Sequence, residues 1–150
     1  GFAVDPRNAN RVLGIGGNSM DWNTQWGASP HGIYFSTDKA RSWKQVLAVR
    51  DGFGGRVIFD PSSFDAARGY CSRAYYSAPL SGLFRSEDGG ESWQPMSRVA
   101  AQQHNDKYNA ALLVVSKSGL LFLAGKEGVF RSRDHGQSFE HIYKDGAVWG

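Results

Sequence analysis

Three stretches of the chain repeat one another and decide its fold: GIYFSTDKARSW at 32–43, GLFRSEDGGESW at 82–93 and GVFRSRDHGQSF at 128–139. Each begins with glycine, an aliphatic residue and an aromatic residue, continues through Ser-x-Asp, and ends on a serine and a large ring. The leading glycines recur at an interval of about 50 residues, and intervals of about 40 to 50 residues with strand-like content are typical of β-propeller blades.

The three stretches resemble the Asp-box, or BNR repeat, of sialidases, xyloglucanase-type glycoside hydrolases, sortilin-type receptors and photosystem assembly factors. The second copy matches the pattern in full, whereas Ala40 replaces a glycine in the first copy. The resemblance implies a structural role on the face remote from catalysis. The residues that carry it are Ser36, Asp38 and Trp43, then Ser86, Asp88, Gly90 and Trp93, then Ser132, Asp134, Gly136 and Phe139.

The chemistry of these residues predicts a hairpin turn in each copy. An aspartate side chain can accept hydrogen bonds from backbone N–H groups of its own turn. Gly90 and Gly136 can adopt a positive φ at no steric cost, so Ala40 predicts a looser or re-shaped turn in the first copy. The ring that follows each turn is expected to be buried between neighbouring sheets.

The repeat predicts an all-β fold, a β-propeller segment of about three four-stranded antiparallel blades. Residues 1–150 form a single segment, with blades at about 1–49, 50–98 and 99–150. We expect the first strand of blade one to be mostly missing and the second strand of blade two to lie near 69–73. Because propellers close with about four to eight blades, the remaining blades are expected from the same or another chain.

Composition excludes other classes of protein. A single cysteine permits no internal disulfide, and four histidines without metal-ligand spacing give no metal site and no expected cofactor. The net charge of +3 and the scattered arginines do not indicate a nucleic-acid-binding surface. No apolar run is long enough to span a membrane. Cys71 is expected to be a buried small hydrophobe.

Candidate ligand-binding residues lie in the predicted loops between second and third strands and in the connections between blades. These loops share one face, opposite the Asp-boxes, and long loops with aromatic and charged residues commonly bind ligands. Aromatic rings can stack on sugars, while carboxylates and arginines can hold hydroxyl groups. The candidates are Asp21, Trp22, Trp26, Asp51, Arg73, Tyr75 and Tyr76.

The catalytic residues remain unknown from sequence. Glycoside hydrolysis needs two carboxyl groups about 5 to 9.5 Å apart. In xyloglucanase-like enzymes a catalytic aspartate precedes Gly-Gly at the start of a third strand, but the matching positions here hold His31, Ser81 and Glu127. The three carboxylates on the predicted loop face, Asp21, Asp51 and Asp106, carry no recognisable motif.

Three functions from different classes remain open. The first is part of a secreted Asp-box glycoside hydrolase that acts on or binds polysaccharide. The second is a non-catalytic propeller that binds protein partners, as sortilin-like or photosystem-assembly-factor-like propellers do. The third is a carbohydrate-binding propeller without hydrolysis. The resemblance implies an extracellular or periplasmic location, although no signal peptide is visible in the sequence.

Overall fold

The computed structural model describes residues 1–16, 31–49, 55–78, 81–96, 112–125 and 128–146. Within these ranges the chain is all-β, with one turn of 3-10 helix at Pro61–Ser63 and no α-helix. The strands are β1 Phe2–Asp5, β2 Asn8–Gly16, β3 Gly32–Ser36, β4 Lys44–Ala48, β5 Arg56–Phe59, β6 Phe64–Asp65, β7 Tyr70–Cys71, β8 Ala74–Ala78, β9 Gly82–Ser86, β10 Gln94–Pro95, β11 Leu112–Val115, β12 Leu121–Gly125, β13 Gly128–Ser132 and β14 Glu140–Tyr143.

The strands form three four-stranded antiparallel sheets. Sheet 1 has the order β1-β2-β3-β4, sheet 2 the order β5-β8-β9-β10, and sheet 3 the order β11-β12-β13-β14. Strands β6 and β7 form a separate two-stranded ribbon. The first strands lie side by side, because β5 contacts both β1 and β11. The predicted fold class, a β-propeller segment with four-stranded antiparallel blades, is confirmed.

Two hydrophobic cores hold the three sheets together. The core between sheets 1 and 2 includes Leu13, Ile33, Tyr76 and Trp93, and the core between sheets 2 and 3 includes Tyr75, Leu83, Leu121, Leu123 and Phe130. Successive strand residues point to opposite faces of a sheet. The neighbours Tyr75 and Tyr76 therefore belong to different cores, and sheet 2 is covered on both sides.

The second strand of sheet 2 differs from the prediction. It is Ala74–Ala78 rather than 69–73, because Tyr70–Cys71 pairs with Phe64–Asp65 in the ribbon instead of with the sheet. The glycine and aromatic residues of 69–73 resemble a strand in composition. However, Asp60 caps the 3-10 helix Pro61–Ser63 and diverts the chain into the ribbon first.

The first strand of sheet 1 is also present, contrary to the prediction. In β1, Phe2 lies opposite Gly14 and Val4 lies opposite Val12. The Asp5-Pro6 pair ends β1 in a short turn, whereas the matching Asp60-Pro61 pair ends β5 in the 3-10 helix Pro61–Ser63.

Trp93 should contribute more to stability than the matching ring of the first repeat. It is 7% exposed, contacts Tyr76 edge-on, and donates from Nε1 to the Gly90 carbonyl at 3.1 Å. Trp93→Ala is expected to lower the free energy of unfolding by about 3 to 5 kcal/mol, the range for removing a buried aromatic side chain. Trp43, which is 38% exposed, provides the control. Trp43→Ala should lower the free energy of unfolding, measured in urea, by less than Trp93→Ala does. Equal losses would contradict the assignment of Trp93 to the core.

Candidate functional site

The Ser-x-Asp turns all lie at one end of the sheets, which we call the turn end. Each turn connects the third strand of its sheet to the fourth. Arg11 precedes Val12, which pairs with Ser36 at the start of the first turn, and its side chain donates to the Gly89 carbonyl in the second turn. Arg85 precedes the second turn, and its side chain donates to the His135 carbonyl in the third turn. The turns of neighbouring sheets are thus adjacent, as the even spacing of the repeats predicts.

The opposite end, which we call the loop end, is where the predicted binding segments connect to the sheets. Gly16 pairs with Gly32 at this end of sheet 1, so residues 17–30 join two strands there. Gly32 also pairs with Ala48, which precedes the connection toward β5. In sheet 2 the loop end is marked by the pair Ala78 and Gly82. Four candidates, Asp21, Trp22, Trp26 and Asp51, belong to the segments joined here and lie outside the described residues.

The other three candidates do not occupy the predicted loop. Tyr75 and Tyr76 lie within β8, and both are fully buried, so neither ring offers a face to a ligand. Arg73 precedes β8 at the turn end, next to the Ala74–Ser86 pair. The loop position predicted for these residues was wrong because β8 begins after Arg73.

Arg73 takes part in a charged cluster at the turn end, between sheets 2 and 3. Its Nε donates to the Glu87 carboxylate at 3.2 Å and its Nη1 to Asp60 Oδ2 at 3.3 Å. Asp60 is fully buried, and its Oδ1 also accepts from the backbone N and the hydroxyl of Ser62. The Asp60 carboxylate is therefore held by Ser62 and Arg73, and these hydrogen bonds stabilise the conformation of the chain between β5 and β8.

Two polar atoms at this cluster have no hydrogen-bond partner in the described part of the chain. They are the Tyr75 hydroxyl and His135 Nδ1, which lies 4.0 Å from Asp60 Oδ2. Burial, reinforced by the charge of Asp60, raises the pKa of the Tyr75 hydroxyl, so this group stays neutral. One feature of the sequence pointed to Asp60: an apolar residue followed by Asp-Pro occurs at the same place in two repeats, as Val4-Asp5-Pro6 and as Phe59-Asp60-Pro61.

Asp5 plays the corresponding part between sheets 1 and 2. It is 2% exposed, and its Oδ1 accepts from the Arg7 backbone N at 2.8 Å. Its Oδ2 accepts from the Cys71 backbone N at 2.9 Å and so connects the β6-β7 ribbon to sheet 1. Burial, reinforced by the hydrogen bond and charge of Asp5, raises the pKa of the Cys71 thiol to about 12. The thiol is buried and protonated, as expected for a structural cysteine.

The Ser-x-Asp turns are closed by nearly the same set of hydrogen bonds, except that in the third turn the Gln137 N–H donates to the Asp134 backbone carbonyl rather than to its side chain. In the second turn, Asp88 Oδ1 accepts from the backbone N–H groups of Glu91 and Ser92, while the Ser92 hydroxyl donates to Oδ2. The Ser86 hydroxyl donates to Asp88 Oδ1 and accepts from the Gly90 N–H at 2.8 Å. One carboxylate and one hydroxyl thereby satisfy most of the donors of the turn.

The first turn keeps this geometry despite its alanine. Ala40 adopts a φ of 64°, and its N–H still donates to the Ser36 hydroxyl at 2.9 Å. The expectation of a looser or re-shaped turn was wrong, because the hydrogen bonds to Ser36 and Asp38 are kept and the alanine adopts the left-handed region. The corresponding glycines, Gly90 and Gly136, have φ values of 98° and 84°.

The three turn carboxylates are held in their ionised form. Hydrogen bonds from the Ser42 side chain and backbone lower the pKa of Asp38 to about 2. Partial burial opposes ionisation of Asp88, but the bonds from Ser92 and Ser86 outweigh it and lower the pKa of this carboxyl. Bonds from Ser138 and Ser132 lower the pKa of Asp134. None of these carboxylates is suited to proton transfer near neutral pH.

Arg11 connects sheet 1 to the turn of sheet 2. Its Nη2 donates to the Gly89 carbonyl at 3.0 Å and to the Glu91 carboxylate at 2.9 Å. The guanidinium also lies 3.9 Å from the centre of the Tyr70 ring. Arg11 is 7% exposed, and a buried cation with such partners is costly to remove. Nothing in the sequence marked this arginine, since its partners are far away in the chain.

An apolar cavity of about 620 Å³ runs along the first strands of the sheets. Phe2, Val57 and Leu113 line it together with the charged Lys117, and none of the described residues that line it carries a carboxyl side chain. Among the described residues, no group of three or more His, Cys, Asp or Glu could hold a metal ion. No helix in the described part of the chain is long and apolar enough to cross a membrane.

The fold is similar to that of larger solved structures. The GH74 enzyme of Niastella koreensis matches at a TM-score of 0.70 and 20% identity, over 97% of this chain and 22% of that one. The GH74 xyloglucanase of Xanthomonas campestris matches at 0.67 and 18% identity, over 94% and 23%. YCF48 bound to a D1 peptide matches at 0.59 and 14% identity, over 98% and 40%.

The chain thus spans between about a fifth and two fifths of these structures, and the similarity concerns the propeller fold. No family model matches the chain, and no curated protein matches it.

The Asp88 carboxylate should stabilise the protein in a pH-dependent way. Asp88→Ala is expected to cost about 1 to 3 kcal/mol at pH 6, because it leaves turn N–H donors without their acceptor. The folded-state pKa is lowered, so the contribution of the ionised group is present above the unfolded pKa of about 3.9 and is lost as the pH falls through the folded value.

Urea unfolding of both proteins between pH 6 and pH 2 measures this effect. The difference between wild type and Asp88→Ala should shrink at acid pH, and a constant difference would contradict the role of the carboxylate. Asp145→Ala, at an exposed position, should leave the midpoint unchanged.

Arg11 should stabilise the contact between sheets 1 and 2. Arg11→Met keeps an aliphatic side chain but removes the charged donors, and it should lower the free energy of unfolding by about 1.5 to 3 kcal/mol, as for hydrogen bonds to a charged group. Arg41→Met at the exposed first turn is the matched control and should have little effect. Equal thermal midpoints for the two variants would show that the Arg11 contacts contribute nothing.

Proposed function

We propose that the chain is part of an Asp-box β-propeller of a glycoside hydrolase and that it binds polysaccharide at the loop end. One observation carries this proposal. The segments that hold Trp22, Trp26 and Asp51 are joined to strand ends at the loop end, while the Ser-x-Asp turns occupy the opposite end. The predicted binding residues therefore belong to segments that start and end at the same end of the sheets.

The similarity in fold supports the hydrolase side of the proposal. The GH74 structures match at TM-scores of 0.70 and 0.67, above the 0.59 of YCF48. The Xanthomonas protein is described as a xyloglucanase, so a neutral, branched glucan is the first ligand class to test on this chain.

The residue types at the loop end also suit a polysaccharide. Trp22 and Trp26 provide two indole rings within five residues of sequence, and indole faces cover the apolar faces of sugar rings. Asp21 and Asp51 can accept hydrogen bonds from sugar hydroxyls. In this proposal these groups bind the glycan, and the acid and base of hydrolysis belong to other blades.

Intrinsic fluorescence tests the proposal. Titration with xyloglucan oligosaccharides should change the tryptophan emission of the protein, and the change should be lost in Trp22→Ala and Trp26→Ala. Trp43→Phe is the control, because Trp43 follows the Ser-x-Asp turn at the opposite end, and this variant should bind as wild type does.

Two results would overturn the proposal. One is the absence of any response to neutral and acidic oligosaccharides. The other is binding that persists when both Trp22 and Trp26 are replaced. Either would favour the protein-binding alternative, for which YCF48 with its D1 peptide is the structural example.

A further inference from the structure

The buried aspartate that follows a first strand forms a hydrogen bond toward the next sheet in one interface and faces a histidine in the other. Between sheets 1 and 2, Asp5 Oδ2 accepts from the Cys71 backbone N–H at 2.9 Å. Asp60 occupies the same place in sheet 2 and is fully buried. Its Oδ2 lies 4.0 Å from His135 Nδ1 in the turn of sheet 3, which is beyond hydrogen-bond distance.

The nitrogen and the oxygen that face each other can both form a further hydrogen bond. His135 Nδ1 is buried and has no partner within the described ranges. Asp60 Oδ2 accepts a hydrogen bond of 3.3 Å from Arg73 Nη1, and a carboxylate oxygen can accept a second one. The His135 side chain as a whole is 39% exposed, so the ring can exchange a proton with solvent while Nδ1 stays buried.

The surrounding chain confines the His135 ring to this place. His135 has a φ of 59°, and Gly89 at the same place in the second turn has a φ of 74°. Arg85 Nη1 donates to the His135 carbonyl at 2.9 Å and so connects this backbone to sheet 2. An added Cβ at Gly119 would come within 3.3 Å of His135 Cε1. The hairpin between β11 and β12 therefore packs closely against the ring.

Charged groups of both signs surround the His135 ring. Arg73 and Arg85 both pair with the Glu87 carboxylate, which offsets their repulsion of a protonated ring. Lys117 and Arg133 are exposed, so water and salt screen their charges. The titratable and charged groups around the ring are Asp60, Arg73, Tyr75, Arg85 and Glu87 of sheet 2, Lys117 of the hairpin, and Arg133 and Asp134 of its own turn.

We propose that protonation of His135 closes an ion pair with Asp60 and thereby joins sheets 2 and 3 in a pH-dependent way. A neutral imidazole carries one N–H group and an imidazolium carries two. In the charged form Nδ1 is a donor beside a buried carboxylate, and a movement of about 1 Å brings the two atoms to about 2.8 Å, the length of a charge-assisted hydrogen bond. The ion pair then corresponds to the contact between Asp5 and Cys71 in the first interface.

The direction of the pH dependence follows from the charge of the ring. The ion pair needs the protonated imidazole, and an ordinary histidine takes up its proton at about pH 6.5. The contribution of the ion pair to stability is therefore present below this pH, and it is lost as the pH rises and the folded protein releases the proton.

Urea unfolding of the 150-residue chain at pH 7.5 and pH 5.5 tests this inference. The measured quantity is the ratio of the folding equilibrium constants of wild type and His135→Gln, which removes the titratable group but keeps a polar side chain. This ratio should rise several-fold from pH 7.5 to pH 5.5. His31→Gln is the matched control, because His31 lies at the loop end, and its ratio should stay constant.

Two further measurements test which atoms are involved. In NMR spectra at pH 5.5, His135 should show an Nδ1 proton that is protected from exchange with water. Tyr75→Phe removes the buried hydroxyl beside Asp60 and should retain the pH dependence of wild type.

Three outcomes would overturn the inference. They are a constant ratio for His135→Gln, the absence of a protected Nδ1 proton at pH 5.5, and loss of the pH dependence in Tyr75→Phe, which would show that the proton acts through the tyrosine hydroxyl. The ion pair lies at the turn end, so none of these results depends on glycan binding at the loop end.

Discussion

The hydrogen bonds of the turn aspartates are the interaction on which the rest of the structure depends. Asp88 accepts from two backbone N–H groups and from the Ser92 hydroxyl with one side chain, and Asp38 repeats this arrangement. Asp134 accepts from one backbone N–H and one hydroxyl, both of Ser138. A tight turn exposes donors that would otherwise need water. Because the carboxylate meets them internally, the turn can lie against the neighbouring sheet, and the ring that follows it can be buried.

The turns also provide the carbonyls through which neighbouring sheets are joined. Arg11 and Arg85 donate to carbonyls of the next turn, while Asp5 accepts from the Cys71 backbone N–H of the β6-β7 ribbon. These hydrogen bonds depend on direction, whereas the hydrophobic interactions in the two cores do not. The cores bury apolar side chains, and the polar contacts add directional hydrogen bonds between neighbouring sheets.

The sequence was sufficient to predict the fold class and the position of the third strands, because the repeat marks them with glycine, serine and aspartate at fixed spacing. It was not sufficient for residues 60–73. There the buried Asp60 diverts the chain into a ribbon, and composition alone resembles a strand. Tyr75 and Tyr76 were consequently assigned to a loop, although they alternate between two cores. Arg11 could not be identified either, since its partner Gly89 is 78 residues away.

The separation of the two ends supports the proposal that ligands bind at the loop end. At the turn end, the aspartates, serines and arginines already hold one another, and hydrogen bonds lower the pKa values of the Asp38 and Asp88 carboxyls, so neither is suited to proton transfer near neutral pH. A ligand there would have to compete with the bonds that close the turns. At the loop end the sheets terminate in pairs such as Gly16–Gly32 and Ala78–Gly82. Connections can vary in length and chemistry there without disturbing the turns, so aromatic and acidic residues can be introduced for binding at little cost in stability.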